Sequence, residues 1–162
     1  MHYEALAQVL ILLALANGSP VIAKRIFGET YAAPVDGNTR FVDGRPLLGP
    51  SKTIRGVVIS LLVTALGAMV LGLQFWLGLL VASTAMAGDL FSSFVKRRLH
   101  LAASSKATGL DQIPESLFPL LACRPVLSLT ALDIAAACAV FLWAKYYSRR
   151  LFFWLRWRDR PY

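Results

Sequence analysis

Charged residues are absent from positions 5 to 23 and from 56 to 88, and only Arg124 and Asp133 carry charge between 116 and 144. The first block is long enough for one spanning helix, which needs about 20 apolar residues. Asn17, Gly18, Ser19 and Pro20 interrupt it near its end. Pro20 removes a backbone donor and frees a carbonyl, which lipid tolerates only where something else bonds to it. Two readings stand: a kink or early helix end, or an opening that faces a polar site. The second block has 33 uncharged positions. As one helix it would extend about 50 Å, against a hydrocarbon core of about 30 Å. It is expected to fold back at Gly72-Leu73-Gln74, giving helices near 54–73 and 75–95.

The third block contains Pro119, Arg124, Pro125 and Asp133. One crossing there would put the basic tail, with Lys145, Arg149, Arg150, Arg156, Arg158 and Arg160, on the opposite side from Lys96. Two crossings, a short proline-broken helix near 110–123 and another near 126–145, keep all 17 Lys and Arg except Arg124 on one side. That asymmetry is the positive-inside pattern. The pattern predicts an all-α polytopic membrane protein of about five helices. It forms a single integral-membrane domain over 1–162, with its N-terminus outside and its C-terminus cytoplasmic. Cytoplasmic loops are expected at 24–53 and 96–109. The tail 146–162 alternates arginine with Phe and Trp and reads as an interfacial anchor.

Composition agrees. The chain is 57% hydrophobic and only 16% charged, with a mean hydropathy of +0.58. The net charge of +8 does not point to nucleic acid, because the cations flank apolar spans where anionic headgroups attract them. The N-terminus lacks the basic start and small-residue cleavage site of a signal peptide. Cys123 and Cys138 lack metal-ligand or disulfide spacing. His2 and His100 belong to no cluster.

Three polar stretches are expected to meet at the cytoplasmic face. In Gly49-Pro50-Ser51-Lys52-Thr53-Ile54-Arg55-Gly56, the glycines let backbone amides approach phosphate oxygens. Lys52 supplies a point charge and Arg55 a bidentate fork, while Ser51 and Thr53 add donors. Thr53 is also placed to cap a helix beginning near Ile54. This is not a Walker A loop. In Gly88 through Arg98, Asp89 ends an uncharged helix, where an ionised carboxylate must be paired or bind a cation. Lys96 follows on the same helical face, with Arg97 and Arg98. The basic run alone would read as topogenic; with Asp89 it reads as an acid for a metal and cations for phosphates. Asp111 is either a magnesium ligand beside Gln112 and Glu115 or an exposed acid at a helix start. Asp133 is assigned a structural role.

Taken together, these stretches resemble the CDP-archaeol synthase family, relatives of the CDP-diacylglycerol synthases. The resemblance rests on Asn17-Gly18-Ser19-Pro20, Pro34-Val35-Asp36, Gly49 through Gly56, Gly88 through Arg98 and Leu110-Asp111-Gln112, in that order. It implies a five-helix, magnesium-dependent membrane enzyme that transfers a cytidylyl group from CTP to a lipid phosphate, either phosphatidate or an isoprenoid ether-lipid phosphate. By that resemblance Asp89 and Asp111 hold Mg²⁺. Lys52, Arg55, Lys96 and Arg97 neutralise phosphates, with Gly49, Ser51, Thr53, Gly56 and Asp36 around them. Asn17 and Ser19 line the pocket or steady the opened first helix. The family's second acid in Asp-Gln-Leu-Asp-Phe is replaced by Pro114, so the second ligand is either Glu115 or altered. The competing enzymatic reading is a CTP-dependent polyprenol or phytol kinase. The non-enzymatic one is a small transporter or scaffold, which predicts no nucleotide binding and no dependence on Asp89.

Overall fold

The computed structural model describes residues 3–101 and 109–154. His2, part of the expected loop 96–109 and the end of the arginine–aromatic tail lie outside the described residues. Among the described residues five helices follow in order: α1 (Tyr3–Phe27), α2 (Ile54–Val70), α3 (Phe75–Arg98), α4 (Gln112–Leu127) and α5 (Ala131–Trp154). Helices α1 and α3 are long and apolar enough to cross a membrane, and α2 is a shorter apolar helix. Helix α3 is central, packing against α1, α2 and α4, while α5 lies mainly on α4.

Burial runs inside out. On α2, Val70 is 87% exposed and Leu66 57%, whereas Ser60 and Thr64 are fully buried. Large apolar side chains facing outward around small and polar residues suit a hydrocarbon surround, where helices associate through close packing of small residues. Gly78 shows how close that packing is. A Cβ there would stand 2.6 Å from the Ala65 Cα and 2.7 Å from the Thr64 carbonyl oxygen.

Pro20 does not end α1, which continues to Phe27. In an α-helix the proline at position 20 orphans the carbonyl of Ala16. The Ser60 hydroxyl of α2 donates to that oxygen at 2.8 Å in a buried site. Asn17 turns back to donate to the Leu13 carbonyl at 2.9 Å. The neighbouring helix therefore repairs the break, and the early helix end is corrected.

The α2–α3 turn falls where the sequence places it, with Gly72 at φ +73°. Thr53 caps α2 as expected, its hydroxyl accepting from the Gly56 amide at 3.2 Å. The α4–α5 break falls later than expected. Helix α4 runs through both Pro119 and Pro125 to Leu127, so it is not proline-broken. The chain turns instead at Ser128, which is left-handed at φ +50°. Thr130 and Asp133 then start α5. The fully buried Asp133 carboxylate accepts from the Thr130 amide at 3.0 Å and hydroxyl at 2.8 Å, and the Asp133 amide donates to the Thr130 hydroxyl at 3.2 Å. This is a reciprocal helix cap, which gives Asp133 a structural role.

Candidate active site

The end of α1, the start of α2, the end of α3 and the start of α4 converge, and the loop between α1 and α2 lies across them. That loop has its own backbone order. Residues 33–35 pair with 52–54, through Val35 N to Lys52 O at 2.8 Å and Ile54 N to Ala33 O at 2.9 Å. Beyond them a small hairpin closes through Phe41 N to Arg45 O at 2.7 Å and Leu47 N to Thr39 O at 2.9 Å.

Asp36 shapes the return of this loop. Its buried carboxylate accepts from the amides of Leu48 at 2.9 Å, Gly49 at 3.0 Å and Asn38 at 3.1 Å. Burial works to raise its pKa, but the amide hydrogen bonds outweigh it and hold the carboxyl below its ordinary value. Asp36 thus faces the amides of the phosphate-friendly turn. Gly49 adopts φ +97°, and a Cβ there would lie 3.9 Å from the Arg97 Nε, which places the turn against that guanidinium.

Two acid–base pairs lie along the last three turns of α3. The Lys52 ammonium, from the loop, lies 2.6 and 2.5 Å from the two Asp89 oxygens. The Lys96 ammonium, from α3, lies 2.8 Å from the Asp111 Oδ1 at the start of α4, and this second pair is the more buried. An acid and a base on α3 are thus each matched by the opposite charge from another segment. The backbone allows this because Gly88 has no side chain. A Cβ there would stand 2.2 Å from the Pro114 carbonyl oxygen and 2.8 Å from the Glu115 amide nitrogen.

The structure brings Gly49, Lys52, Asp89, Lys96, Arg97 and Asp111 together. Other expected residues are placed differently. Arg55 donates to the carbonyls of Thr30 and, at 3.0 Å, of Gly28, and lies 5.8 Å from the Phe27 ring. Ser51 is exposed on the loop. Gly56 packs on Pro20, whose Cβ would be 3.4 Å from an added methyl. The Ser19 hydroxyl is buried and has no hydrogen-bond partner among the described residues. Glu115 is buried and paired with Lys145 of α5. Sequence reasoning missed Lys145 and Ser60. The one cation in the expected crossing 126–145 and a hydroxyl in an apolar helix were the available signals.

Among the described residues no three His, Cys, Asp or Glu side chains cluster to hold a metal. Mg²⁺ does not require such a cage, since one or two carboxylates suffice when substrate phosphates and waters complete the shell. Asp89 and Asp111 are hard oxygen donors on neighbouring segments, and both already face cations. That donor set fits Mg²⁺ delivered with a polyphosphate.

Comparison with known proteins gives the family. A family model described as CarS-like CDP-archaeol synthase matches residues 4–162. The CDP-archaeol synthase of Hyperthermus butylicus is 35% identical over 116 residues, covering 68% of this chain and 66% of the relative. That of Sulfurisphaera tokodaii is 37% identical over 119 residues, covering 70% and 68%. The matched region thus spans about two thirds of these relatives. A solved structure of an intramembrane enzyme for archaeal membrane lipids biosynthesis superposes with a TM-score of 0.68 at 30% identity, covering 85% of this chain and 90% of that one.

Proposed function

The chain belongs to the CDP-archaeol synthase family, whose members are CTP-dependent cytidylyltransferases of membrane lipid phosphates, and from that premise we propose that it activates an isoprenoid ether-lipid phosphate with CTP at the end of α3. The relatives' names support the lipid class. The observation that carries the site assignment is the pair of ion pairs on α3, Lys52–Asp89 and Lys96–Asp111. Those four side chains place two carboxylates and two ammonium groups where three segments meet.

The reaction joins a lipid-phosphate oxygen to the α-phosphorus of CTP and breaks the bond from that phosphorus to the bridging oxygen. Pyrophosphate leaves with the electron pair. The lipid phosphate is itself the nucleophile, so no enzyme nucleophile is required. Catalysis reduces to positioning and to neutralising anionic oxygens. Asp89 and Asp111 would hold Mg²⁺, which when bound supplies charge neutralisation to the phosphates. Lys52 and Lys96, which rest on Asp89 and Asp111, would supply ammonium groups to phosphate oxygens. Arg97 stands against the turn at Gly49, where a guanidinium fork suits phosphate. Lipid tails stay among the outward-facing apolar side chains of the bundle.

Five crossings, with the N-terminus outside and the site at the cytoplasmic face, complete the proposal. The charge asymmetry of the sequence supports this orientation, as does the site's position at one end of the helices. Glu115 serves the bundle through Lys145, leaving Asp89 and Asp111 as the protein's metal ligands.

The test is cytidylyl transfer by purified protein in detergent with Mg²⁺, α-labelled CTP and either an ether-lipid phosphate or phosphatidate. Label should enter the lipid with wild type and not with Asp89→Asn, and the ether lipid should be preferred. Transfer from γ-labelled CTP to a polyprenol, without α-label transfer, would replace this reading with a lipid kinase.

A further inference from the structure

Arg98 lies at the very end of α3, where a free cation would be expected to reach for phosphate. Its guanidinium is engaged elsewhere. Nη1 lies 2.7 Å from the Asp43 Oδ1, and Nη2 donates to the Pro46 carbonyl at 2.7 Å. The same group lies 4.7 Å from the Phe41 ring centroid and 5.0 Å from that of Phe94. Those two rings meet edge to face at 5.4 Å. Phe41, Asp43 and Pro46 belong to the loop hairpin, while Phe94 and Arg98 belong to α3. A second contact sits alongside: Arg45 Nη2 is 2.8 Å from His100 Nδ1.

Loop and helix therefore meet at three points in order. Lys52 reaches Asp89, Gly49 lies against Arg97, and Asp43 with Pro46 holds Arg98. Between the outer two points lies the Asp36-organised turn. The hairpin has almost no buried apolar surface of its own, since residues 37–44 are all exposed. A segment so built opens locally at little cost unless it is tied down. Two donors in a fixed fork, packed beside two aromatic rings, are an arrangement that guanidinium makes and ammonium does not.

We propose that Arg98 is a positioning residue for CTP binding, fastening the loop hairpin to α3 so that the turn at Gly49–Lys52 is held against Arg97 and Asp89. The proposal rests on the cytidylyltransferase reading for its ligand, but the tether can be measured without activity. It assigns the third cation of the basic run to loop order and leaves phosphate binding to Lys52, Lys96 and Arg97.

The experiment compares wild type, Arg98→Ala, Arg98→Lys, Asp43→Ala and the Arg98→Ala/Asp43→Ala double variant, full length in detergent. One readout is trypsin cleavage at Arg40–Phe41, since the Arg45–Pro46 bond resists trypsin. The other is KM for CTP against kcat. Arg98→Ala should cut about tenfold faster and raise KM for CTP about tenfold, with kcat within about threefold and an unchanged thermal midpoint. Arg98→Lys should fall between. Asp43→Ala should resemble Arg98→Ala, and the double variant should be no worse than it, as for residues acting through one contact. Equal cleavage rates in wild type and Arg98→Ala would overturn the tether. Faster cleavage with unchanged KM, or loss confined to kcat, would overturn the link to CTP. A wild type that transfers no cytidylyl group but shows the cleavage difference would sink the activity reading and leave the tether standing.

Discussion

Replacing Gly88 by alanine puts the α3–α4 contact directly to the test. The added methyl would sit 2.2 Å from the Pro114 carbonyl oxygen, 2.5 Å from its carbonyl carbon and 2.8 Å from the Glu115 amide nitrogen. All three are backbone atoms, so no side chain can swing aside. Reaching an ordinary contact of 3.4 Å requires 3.4 − 2.2 = 1.2 Å of movement along that direction. The start of α4 must therefore shift away from α3. Overpacking of this kind costs about 1–3 kcal/mol. The shift falls between the two halves of the buried Lys96–Asp111 pair, because Lys96 is on α3 and Asp111 lies three residues before Pro114. Misplacement by about 1 Å near a reacting centre can cost about 100-fold in rate. The assay is cytidylyl transfer together with the thermal midpoint in the same detergent. Gly18→Ala is the control, because nothing lies within 4 Å of its Cβ position. Gly88→Ala should lower kcat by about 100-fold and the midpoint by several degrees, while Gly18→Ala should match wild type. Wild-type kcat and midpoint in Gly88→Ala would refute the argument that backbone contact at Gly88 sets the site.

Asp89→Asn should abolish transfer and also destabilise the loop, because it leaves the partly buried Lys52 ammonium without its anion; the check is activity alongside trypsin sensitivity. Ser60→Ala should lower stability by about 1 kcal/mol, the usual scale of a hydrogen bond between helices in lipid, and leave KM for CTP unchanged, as read by thermal unfolding and kinetics. Asp36, whose pKa is held below its ordinary 3.8, contributes loop order that is fully present above that value and lost as pH falls through its lower folded value. Loop protection against an acid protease should therefore drop below pH 3.8, and Asp36→Asn, which cannot accept from all three amides, should show weaker protection already at neutral pH.

The helices were legible because lipid imposes a one-dimensional rule: charge-free length, read against bilayer thickness, gives crossings. The turn at Gly72 followed from length alone, and the Thr53 cap from a hydroxyl before an apolar run. The errors have one cause. Read locally, Pro119 breaks its helix and Pro20 either kinks or ends its helix or opens it to a polar site, although in a helix bundle the fate of a freed carbonyl is decided by a residue far away. Ser60 lies 44 positions from Ala16, and nothing near Pro20 announces it. At the other end of the bundle, Ser128 ended α4 by a backbone conformation that its side chain does not signal, while Thr130 and Asp133 were readable as a cap three residues apart.

The site divides the same way. Which residues carry charge at a membrane face is visible in the sequence, and so are the acid and base seven residues apart on α3. Which cation meets which carboxylate is not, because every pair joins separate segments: loop to α3, α3 to α4, α4 to α5. Glu115 illustrates the consequence. Four positions from Asp111, it has the spacing of a second metal ligand, yet its side chain is committed to Lys145 of α5. Arg98 illustrates the converse, a member of a basic run whose geometry binds its own loop. Charges in a membrane enzyme must be neutralised whether or not substrate is present. The side chains available to phosphate are therefore those whose present partners can accept another cation in exchange. On the proposed reading, Lys52 and Lys96, each resting on an acid suited to Mg²⁺, are the exchangeable pair. Arg98 and Lys145, resting on Asp43 and Glu115, hold the frame around them.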